Sequence, residues 1–200
     1  MEDFFIDIIV GQGPGARSVN MPIKPFTLIG ATTKLSLLSR PFLNRFGIQE
    51  RLDYYDDASL ALIIKKASER ANIPLHSIGA EELAKRSRGT PRIALRLLRR
   101  VWDFAQVQEK KEVDIGIIDY ALRRIDVDCR GLDRLDNQIL RVIHEKYQGG
   151  PVGIETLALN LGEDKSTIED VHEPFLIYSG LLVKSPRGRV LTQTGLNHIS

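Results

Sequence analysis

The sequence of 200 residues contains one cysteine, few aromatic residues and no strong excess of charge of either sign. The single cysteine, Cys129, excludes an internal disulfide framework and any zinc site that needs several cysteines. The formal net charge of +2 at pH 7 is too small to predict nucleic-acid binding by itself. No stretch of about 18 uninterrupted apolar residues occurs, which predicts that no helix spans a membrane. The four histidines are scattered without metal-ligand spacing, and no metal site is predicted.

The remaining composition is that of an ordinary globular protein. Hydrophobic residues make up 42% of the chain and charged residues 27%. The N-terminus lacks the basic, apolar and small-residue order of a signal peptide, so we expect a cytoplasmic protein. A strand pattern at residues 5–10 begins almost at the first residue, and we therefore expect the chain to be a fragment of a longer protein.

Residues 1–53 have the pattern of strands and loops. Two strand patterns, residues 5–10 and 16–21, flank a glycine-rich segment at residues 11–15, which predicts a β-hairpin. The glycines alternatively suggest a phosphate-binding loop, but such a loop leads into a helix, whereas a strand pattern follows here. A hairpin turn is therefore favoured. The apolar run 26–31 is consistent with a buried strand of a parallel sheet.

Residues 54–130 are predicted to form four short amphipathic helices. The first follows the start signal Asp56-Asp57. A later helix follows Thr90, which is predicted to be its N-cap, with Pro91 at the first helical position. Apolar side chains recur at helical spacing along each segment, which predicts a small helical bundle.

Residues 131–200 start a new pattern of three helices followed by two short strands. Ser166 and Glu169 have the spacing of a capping box, which predicts that the third helix opens there. The two strand patterns, residues 181–184 and 189–192, are joined by a short turn. Three helices and a hairpin in this order are typical of a winged helix.

Four side chains of residues 1–130 are candidates for contact with phosphate. Thr32 and Thr33 follow the predicted buried strand, and open α/β sheets bind ligands at the carboxyl ends of their strands; the alternative is an ordinary hydroxyl turn. Arg45 lies between apolar anchors and could reach a γ-phosphate across a subunit boundary; the alternative is a surface salt bridge. Arg92 lies at a helix N-terminus, where a cation is disfavoured unless an anion binds; the alternative is a solvated charge run.

Basic side chains concentrate on the predicted C-terminal hairpin. Residues 131–200 contain seven Lys and Arg against nine Asp and Glu, a net charge of −2. Lys184, Arg187 and Arg189 nevertheless all lie on the hairpin, and Lys165 lies at the start of the third helix. A basic β-wing suits the DNA backbone or the minor groove, and the alternatives are a solvated hairpin or a protein-docking module.

Five segments in this order resemble the RuvB family of AAA+ ATPases, and the resemblance covers essentially the whole chain. They are Met1-Glu2-Asp3-Phe4, residues 25–33, residues 86–100, residues 149–153 and Pro186-Arg187-Gly188-Arg189. The resemblance implies part of an AAA+ α/β core, with a β-hairpin and a parallel strand, over residues 1–53. It implies a four-helix AAA+ lid over residues 54–130 and a winged-helix DNA-binding domain over residues 131–200.

The resemblance also implies an activity and partners. The family uses ATP, with Mg²⁺, to drive branch migration of Holliday junctions in recombination and DNA repair, as a helicase in bacterial cytoplasm. Its subunits form homohexameric rings around double-stranded DNA and dock on the junction-binding protein RuvA, with RuvC as a further candidate partner. The first hairpin matches the insertion that docks on RuvA, with its apolar side chains as the contact.

Roles for single residues follow from the same resemblance. Thr32 or Thr33 falls at sensor 1, Arg45 at the arginine finger and Arg92 at sensor 2. The nucleotide-lining positions are matched by Glu2, Asp3, Phe4 and Tyr55. The DNA-contacting positions of the winged helix are matched by Lys165, Lys184 and Arg189, and Arg187 belongs to the same basic hairpin.

The sequence departs from the family pattern at several points. It contains neither the glycine-rich loop ending in Lys-Thr nor the Asp-Glu strand motif, so we expect no ATPase activity from these 200 residues alone. Leu43 and Lys184 stand where the family usually carries arginine. The alternative interpretation is a stand-alone, catalytically inactive winged-helix protein that binds DNA as an adaptor.

Overall fold

A computed structural model describes residues 4–11 and 17–199 and divides the chain into two compact units, Met1–Leu52 and Asp53–Ser200. In the first unit, strands β1 (Phe5–Val10) and β2 (Arg17–Pro22) pair antiparallel, with Ile8 opposite Val19. This confirms the predicted hairpin, while most of its predicted turn lies outside the described residues.

The predicted buried parallel strand at residues 26–31 is not observed. These residues are exposed and form no strand, and neither described strand of this unit pairs with them. A strand needs a neighbour to accept its ladder hydrogen bonds, so an apolar run without one remains irregular. A single 3-10 turn at Leu35–Leu37 and the short helix α1 (Arg40–Leu43) follow.

The second unit begins with four helices that match the predicted bundle. They are α2 (Asp57–Arg70), α3 (Ser77–Lys85), α4 (Pro91–Val107) and α5 (Ile115–Arg124). The carboxylate of Asp56 accepts a hydrogen bond from the Ser59 amide at 2.6 Å and caps α2, as its sequence predicts. The apolar faces of the four helices form one core, which includes Leu60, Leu83, Leu97, Val101, Ile118 and Leu122.

The rest of the second unit has the predicted winged-helix order, with one added helix at the C-terminal end. The elements are α6 (Arg134–Tyr147), α7 (Ile154–Leu161), α8 (Lys165–Thr167), α9 (Glu173–Tyr178), β3 (Leu182–Ser185), β4 (Gly188–Leu191) and α10 (Gln193–Ile199). A π-helical turn, Ile168–His172, joins α8 to α9. A separate core includes Leu132, Ile139, Leu140, Leu157, Leu176 and Leu181.

The predicted capping box at Ser166 is wrong. Helix α8 begins at Lys165 with Asp164 as its N-cap, so Ser166 already lies inside the helix. A capping box forms instead at α6, where Asp133 and Asp136 exchange hydrogen bonds with each other's backbone amides at 3.0 Å.

Candidate functional sites

Arg45 lies just after α1, in a segment that aromatic packing holds in place. The rings of Phe42 and Phe46 meet edge to face with their centroids 5.3 Å apart. The Arg45 amide donates to the Phe42 carbonyl at 3.2 Å, which extends the helical turn. The Arg45 side chain is exposed, and no carboxylate of the described residues forms an ion pair with it. This arrangement leaves the guanidinium available for an anion.

The other candidates in the first unit have less defined surroundings. The Thr32 hydroxyl accepts a hydrogen bond from the Lys34 amide at 3.0 Å, which is the local turn weighed as its alternative role. Thr33 is exposed. Phe4 is 39% exposed, and Glu2 and Asp3 lie outside the described residues. The sensor and nucleotide-lining roles of these residues stay predictions.

In the second unit, Tyr55 and Arg92 both adjoin the loop that precedes α4. The Tyr55 amide donates to the Gly89 carbonyl at 2.8 Å, and Arg92 is the second residue of the helix. Thr90 is the N-cap, as predicted, but its side chain makes no capping hydrogen bond, and no acidic residue lies in the first turn. The Arg92 side chain is exposed and pairs with no carboxylate of the described residues. Uncapped amides beside a free guanidinium suit an anion.

Gly89 is the residue that lets this loop pack. Its φ is +65°, and a Cβ placed there would lie 2.7 Å from the Tyr54 Cβ. The Tyr54 ring in turn packs against the ring of Tyr178 of α9 at an angle of 41°, with the centroids 4.4 Å apart. The loop before α4 is therefore held between the helical bundle and the winged helix.

Two other arginines of the same loop have partners that the sequence does not reveal. Arg86 pairs with Asp119 at 2.6 Å and Glu82 at 3.5 Å. Arg88 reaches the winged helix, where its Nη1 atom lies 2.9 Å from Asp136, which is fully buried. These arginines therefore have structural roles, unlike Arg92.

Arg88 belongs to a buried polar cluster on the winged helix. The His172 Nδ1 atom lies 2.8 Å from Oδ1 of Asp136, and the Arg88 guanidinium stacks 4.5 Å above the Phe175 ring. Asp133, Asp136 and His172 have the spacing of metal ligands, with the ligand atoms within 4.8 Å of one another. The guanidinium of Arg88 already supplies positive charge to both carboxylates of this cluster.

Arg189 lies on the C-terminal hairpin, in β4, as the sequence predicts, but its side chain is not free. It is 5% exposed, and its guanidinium donates to Glu173 at 2.7 and 2.9 Å and to Glu169 at 2.8 Å. The hydrogen bond from Arg189 lowers the pKa of Glu169. The expected free cation is thus held by two carboxylates of the helical segment behind the wing, and a DNA phosphate would have to compete with them.

The other three basic candidates of the winged helix differ in how closely carboxylates hold them. Lys184 is exposed but lies 3.2 Å from Glu173 and 3.5 Å from Glu169. Lys165 pairs with Glu155 at 2.9 Å, and that hydrogen bond raises the pKa of Lys165. Arg187 is exposed at the turn between β3 and β4, and its side chain pairs with no carboxylate of residues 4–11 and 17–199. Of the four cations, Arg187 is the one most available to a phosphate.

Three consecutive family models match the chain. Residues 1–52 match the Holliday junction DNA helicase RuvB P-loop domain, residues 55–128 the RuvB AAA lid domain and residues 129–200 the RuvB C-terminal winged helix domain. The chain belongs to the RuvB family. Its fold is accordingly part of an AAA+ core, an AAA+ lid and a winged helix, as the sequence predicts.

Relatives and solved structures agree with this assignment. The chain is similar to the Holliday junction branch migration complex subunit RuvB of Latilactobacillus sakei, with 51% identity over 100% of this chain and 59% of the relative. It is 53% identical to the Rickettsia africae subunit, of which it covers 58%. A Thermotoga maritima RuvB P216G mutant structure matches with a TM-score of 0.86 and 41% identity, over 99% of this chain and 62% of that chain.

The chain is shorter than the RuvB relatives that it matches. It spans about three fifths of the length of the curated relatives it matches. Among the described residues, no helix is both long and apolar enough to cross a membrane.

Proposed function

We propose that this chain contributes the nucleotide-sensing, lid and DNA-binding parts of an ATP-driven subunit that migrates Holliday junctions in bacterial cytoplasm. The observation that carries the proposal is that Arg45 and Arg92 are exposed and have no carboxylate partner among the described residues. Arginines in this state stabilise phosphate charge, as arginine fingers and sensor arginines do. The relatives to which the chain is similar are Holliday junction branch migration complex subunits named RuvB.

In this proposal the residues act at ATP, with Mg²⁺, in a ring of subunits. Arg45 acts on the nucleotide of a neighbouring subunit, where charge develops on the transferred phosphoryl group. Arg92 and Tyr55 act on the nucleotide of their own subunit, together with Glu2, Asp3 and Phe4, and Thr32 or Thr33 orients a water or senses the phosphate. The phosphate-cradling loop has to come from outside these 200 residues, because they contain no such motif.

The winged helix is proposed to hold double-stranded DNA through its β-wing. Arg187 makes the primary phosphate contact because it is exposed and unpaired. Lys165 adds a contact from an exposed pair, which is weak and exchanges readily with other anions. Lys184 adds a contact from an exposed side chain whose partner Glu173 is buried. Arg189 contributes once a phosphate displaces its carboxylate partners.

The first hairpin is proposed to dock on RuvA. Its two strands expose seven large apolar side chains. They are Phe5, Ile6, Ile8, Ile9, Val10, Val19 and Met21. An exposed apolar patch of this kind is typical of a protein-binding surface. RuvC and a homohexameric ring complete the proposed assembly.

A chimera tests the motor proposal. We would join the phosphate-loop segment of the Latilactobacillus sakei relative upstream of residue 1 and measure DNA-stimulated ATP turnover and junction migration with RuvA. We expect turnover from the chimera, none from the 200 residues alone, and a loss of about 10³-fold on Arg45→Ala. Arg40→Ala, another exposed arginine of the same segment, is the matched control.

Two results would contradict the motor proposal. One is a folded, DNA-binding chimera without ATP turnover, which would favour the stand-alone adaptor. The other is an Arg45→Ala chimera that hydrolyses ATP as fast as the Arg40→Ala control.

A further inference from the structure

The lid carries a second concentration of basic side chains, apart from the wing. Two adjoining surface hollows lie along helices α2 and α4, and Arg99 lines both of them. The cations that line them are Lys66, Arg70, Arg92, Arg96, Arg99 and Arg100. We call this surface the lid trough.

Most of these cations have no counter-charge. Only Arg100 forms an ion pair within the described part of the chain, with Asp103 at 3.4 Å, and both side chains are largely exposed. Residues 91–100 contain four arginines and no acidic residue, and the one carboxylate in the lining of the hollows is that of Asp103. Like charges three and four residues apart on a helix repel one another. An unneutralised row of this kind is stabilised when an anionic partner lies along it.

We propose that the lid trough binds the phosphate backbone of DNA, as a contact separate from the wing. The inference rests on the proposed function, since that function brings DNA to the protein. It extends the function because no role in DNA binding follows for Arg96 or Arg99 from the nucleotide site or from the winged helix.

The spacing of the row matches a polyanion. Arg92 belongs to the proposed nucleotide site, so the DNA-binding row runs from Arg96 to Arg100, about 6 Å along the axis of α4. One strand of duplex DNA presents a phosphate roughly every 3.4 Å of helix axis, so about two phosphates would pass along that length. Guanidinium groups also bind phosphate oxygens through two parallel hydrogen bonds.

The two sides of the trough support the same partner. Lys66 and Arg70 of α2 line one hollow together with Arg99 of α4, over a floor of half-buried and buried apolar side chains, such as Ile63 and Leu95. A strand lying between the helices would therefore meet cations on both sides. An acidic segment of a protein is the competing partner, and the experiment below separates the two.

The test compares double substitutions in the full chain. Arg96→Ala with Arg99→Ala removes two trough cations, and Lys110→Ala with Lys111→Ala removes two exposed cations that do not line the trough. Binding of a fluorescent 20-base-pair duplex is followed by anisotropy at several salt concentrations, with circular dichroism to verify folding. We expect the trough variant to lower the log–log salt slope by about 1.8, and the control to leave it unchanged.

Each outcome has a distinct meaning. Equal slopes for trough and control variants would overturn the lid trough, and Arg187→Ala measured beside them would show whether the wing still binds DNA. If the trough variant keeps full DNA affinity but loses self-association in sedimentation, the trough is an interface for acidic protein surfaces and the DNA proposal is wrong. If Arg187→Ala abolishes DNA binding and the trough variant does not weaken it, the proposed function stands and the lid trough is wrong.

Discussion

The two units of this chain differ most in how much of their apolar surface they bury. In Asp53–Ser200, the helices and the wing enclose two cores of fully buried leucine, isoleucine and valine side chains. In Met1–Leu52, none of the described residues is buried, and side chains such as Ile29 and Leu37 are 88% and 76% exposed. Because burial of apolar surface is the main driving force of folding, the second unit carries its own stability and the first does not.

The largest expected effect comes from separating the units. Residues 53–200 alone are predicted to unfold cooperatively, because both cores are complete within them. Residues 1–52 alone are predicted to show no cooperative transition and to associate through their apolar side chains. Thermal and urea unfolding, followed by circular dichroism, would measure this. A cooperative transition for residues 1–52 would show that the first unit is stable by itself.

A matched pair of leucine substitutions measures the difference in apolar burial between the two units. Leu140 is fully buried in the winged helix, so Leu140→Ala should lower the free energy of unfolding by about 3 kcal/mol. Leu37→Ala removes the same atoms from an exposed site and should change it by less than about 0.5 kcal/mol. Equal losses in urea unfolding of the full chain would mean that the first unit has a core of its own.

A matched pair of arginines tests the same contrast within one loop. Arg88→Ala leaves the buried carboxylate of Asp136 without its cation and should cost about 3 kcal/mol in the free energy of unfolding. Arg92→Ala removes an exposed side chain and should cost less than about 0.5 kcal/mol. A double-mutant cycle of Arg88→Ala with Asp136→Asn measures the coupling, and additive losses would contradict a direct pair.

The smallest expected effect concerns the wing. Glu169→Gln removes one carboxylate from Arg189 and Lys184, while Glu173 still pairs with both. Duplex affinity should therefore rise by only about threefold. Glu163→Gln, at an exposed position without a described ion pair, is the control. The pKa of Glu169 is lowered, so its ion pairs are complete above the ordinary pKa of a glutamate. They are lost as the pH falls through the lowered pKa of Glu169. Equal affinities for both variants would show that Glu169 does not restrain the wing.

Local patterns in the sequence predicted the second unit well. Of the three helices predicted in residues 131–200, α7 lies between two glycines, Gly153 at its N-cap and Gly162 at its C-cap, so local sequence marks both of its ends. Helix α2 begins at its predicted cap, Asp56, because an N-cap depends only on a side chain beside the helix start. The wing was predicted because two apolar strand patterns flank a Pro-Arg-Gly turn, although the terminal helix α10 was missed.

The failures concern contacts between distant residues. Arg88 and Asp136 are 48 positions apart, and Asp136 and His172 are 36 apart, so no local pattern indicates their cluster. The carboxylates that hold Arg189 come from a helical segment 16 and 20 positions earlier in the chain. The strand predicted at residues 26–31 failed for a related reason, because a strand depends on a neighbour that its own sequence does not specify.

Hydrogen exchange of the full chain, read by mass spectrometry, tests the contrast between the units most directly. We expect slow exchange in α4 and α6, which pack on the two cores, and exchange close to the unprotected rate in β1 and β2 despite their mutual hydrogen bonds. Protection of β1 and β2 as strong as that of α4 would contradict it.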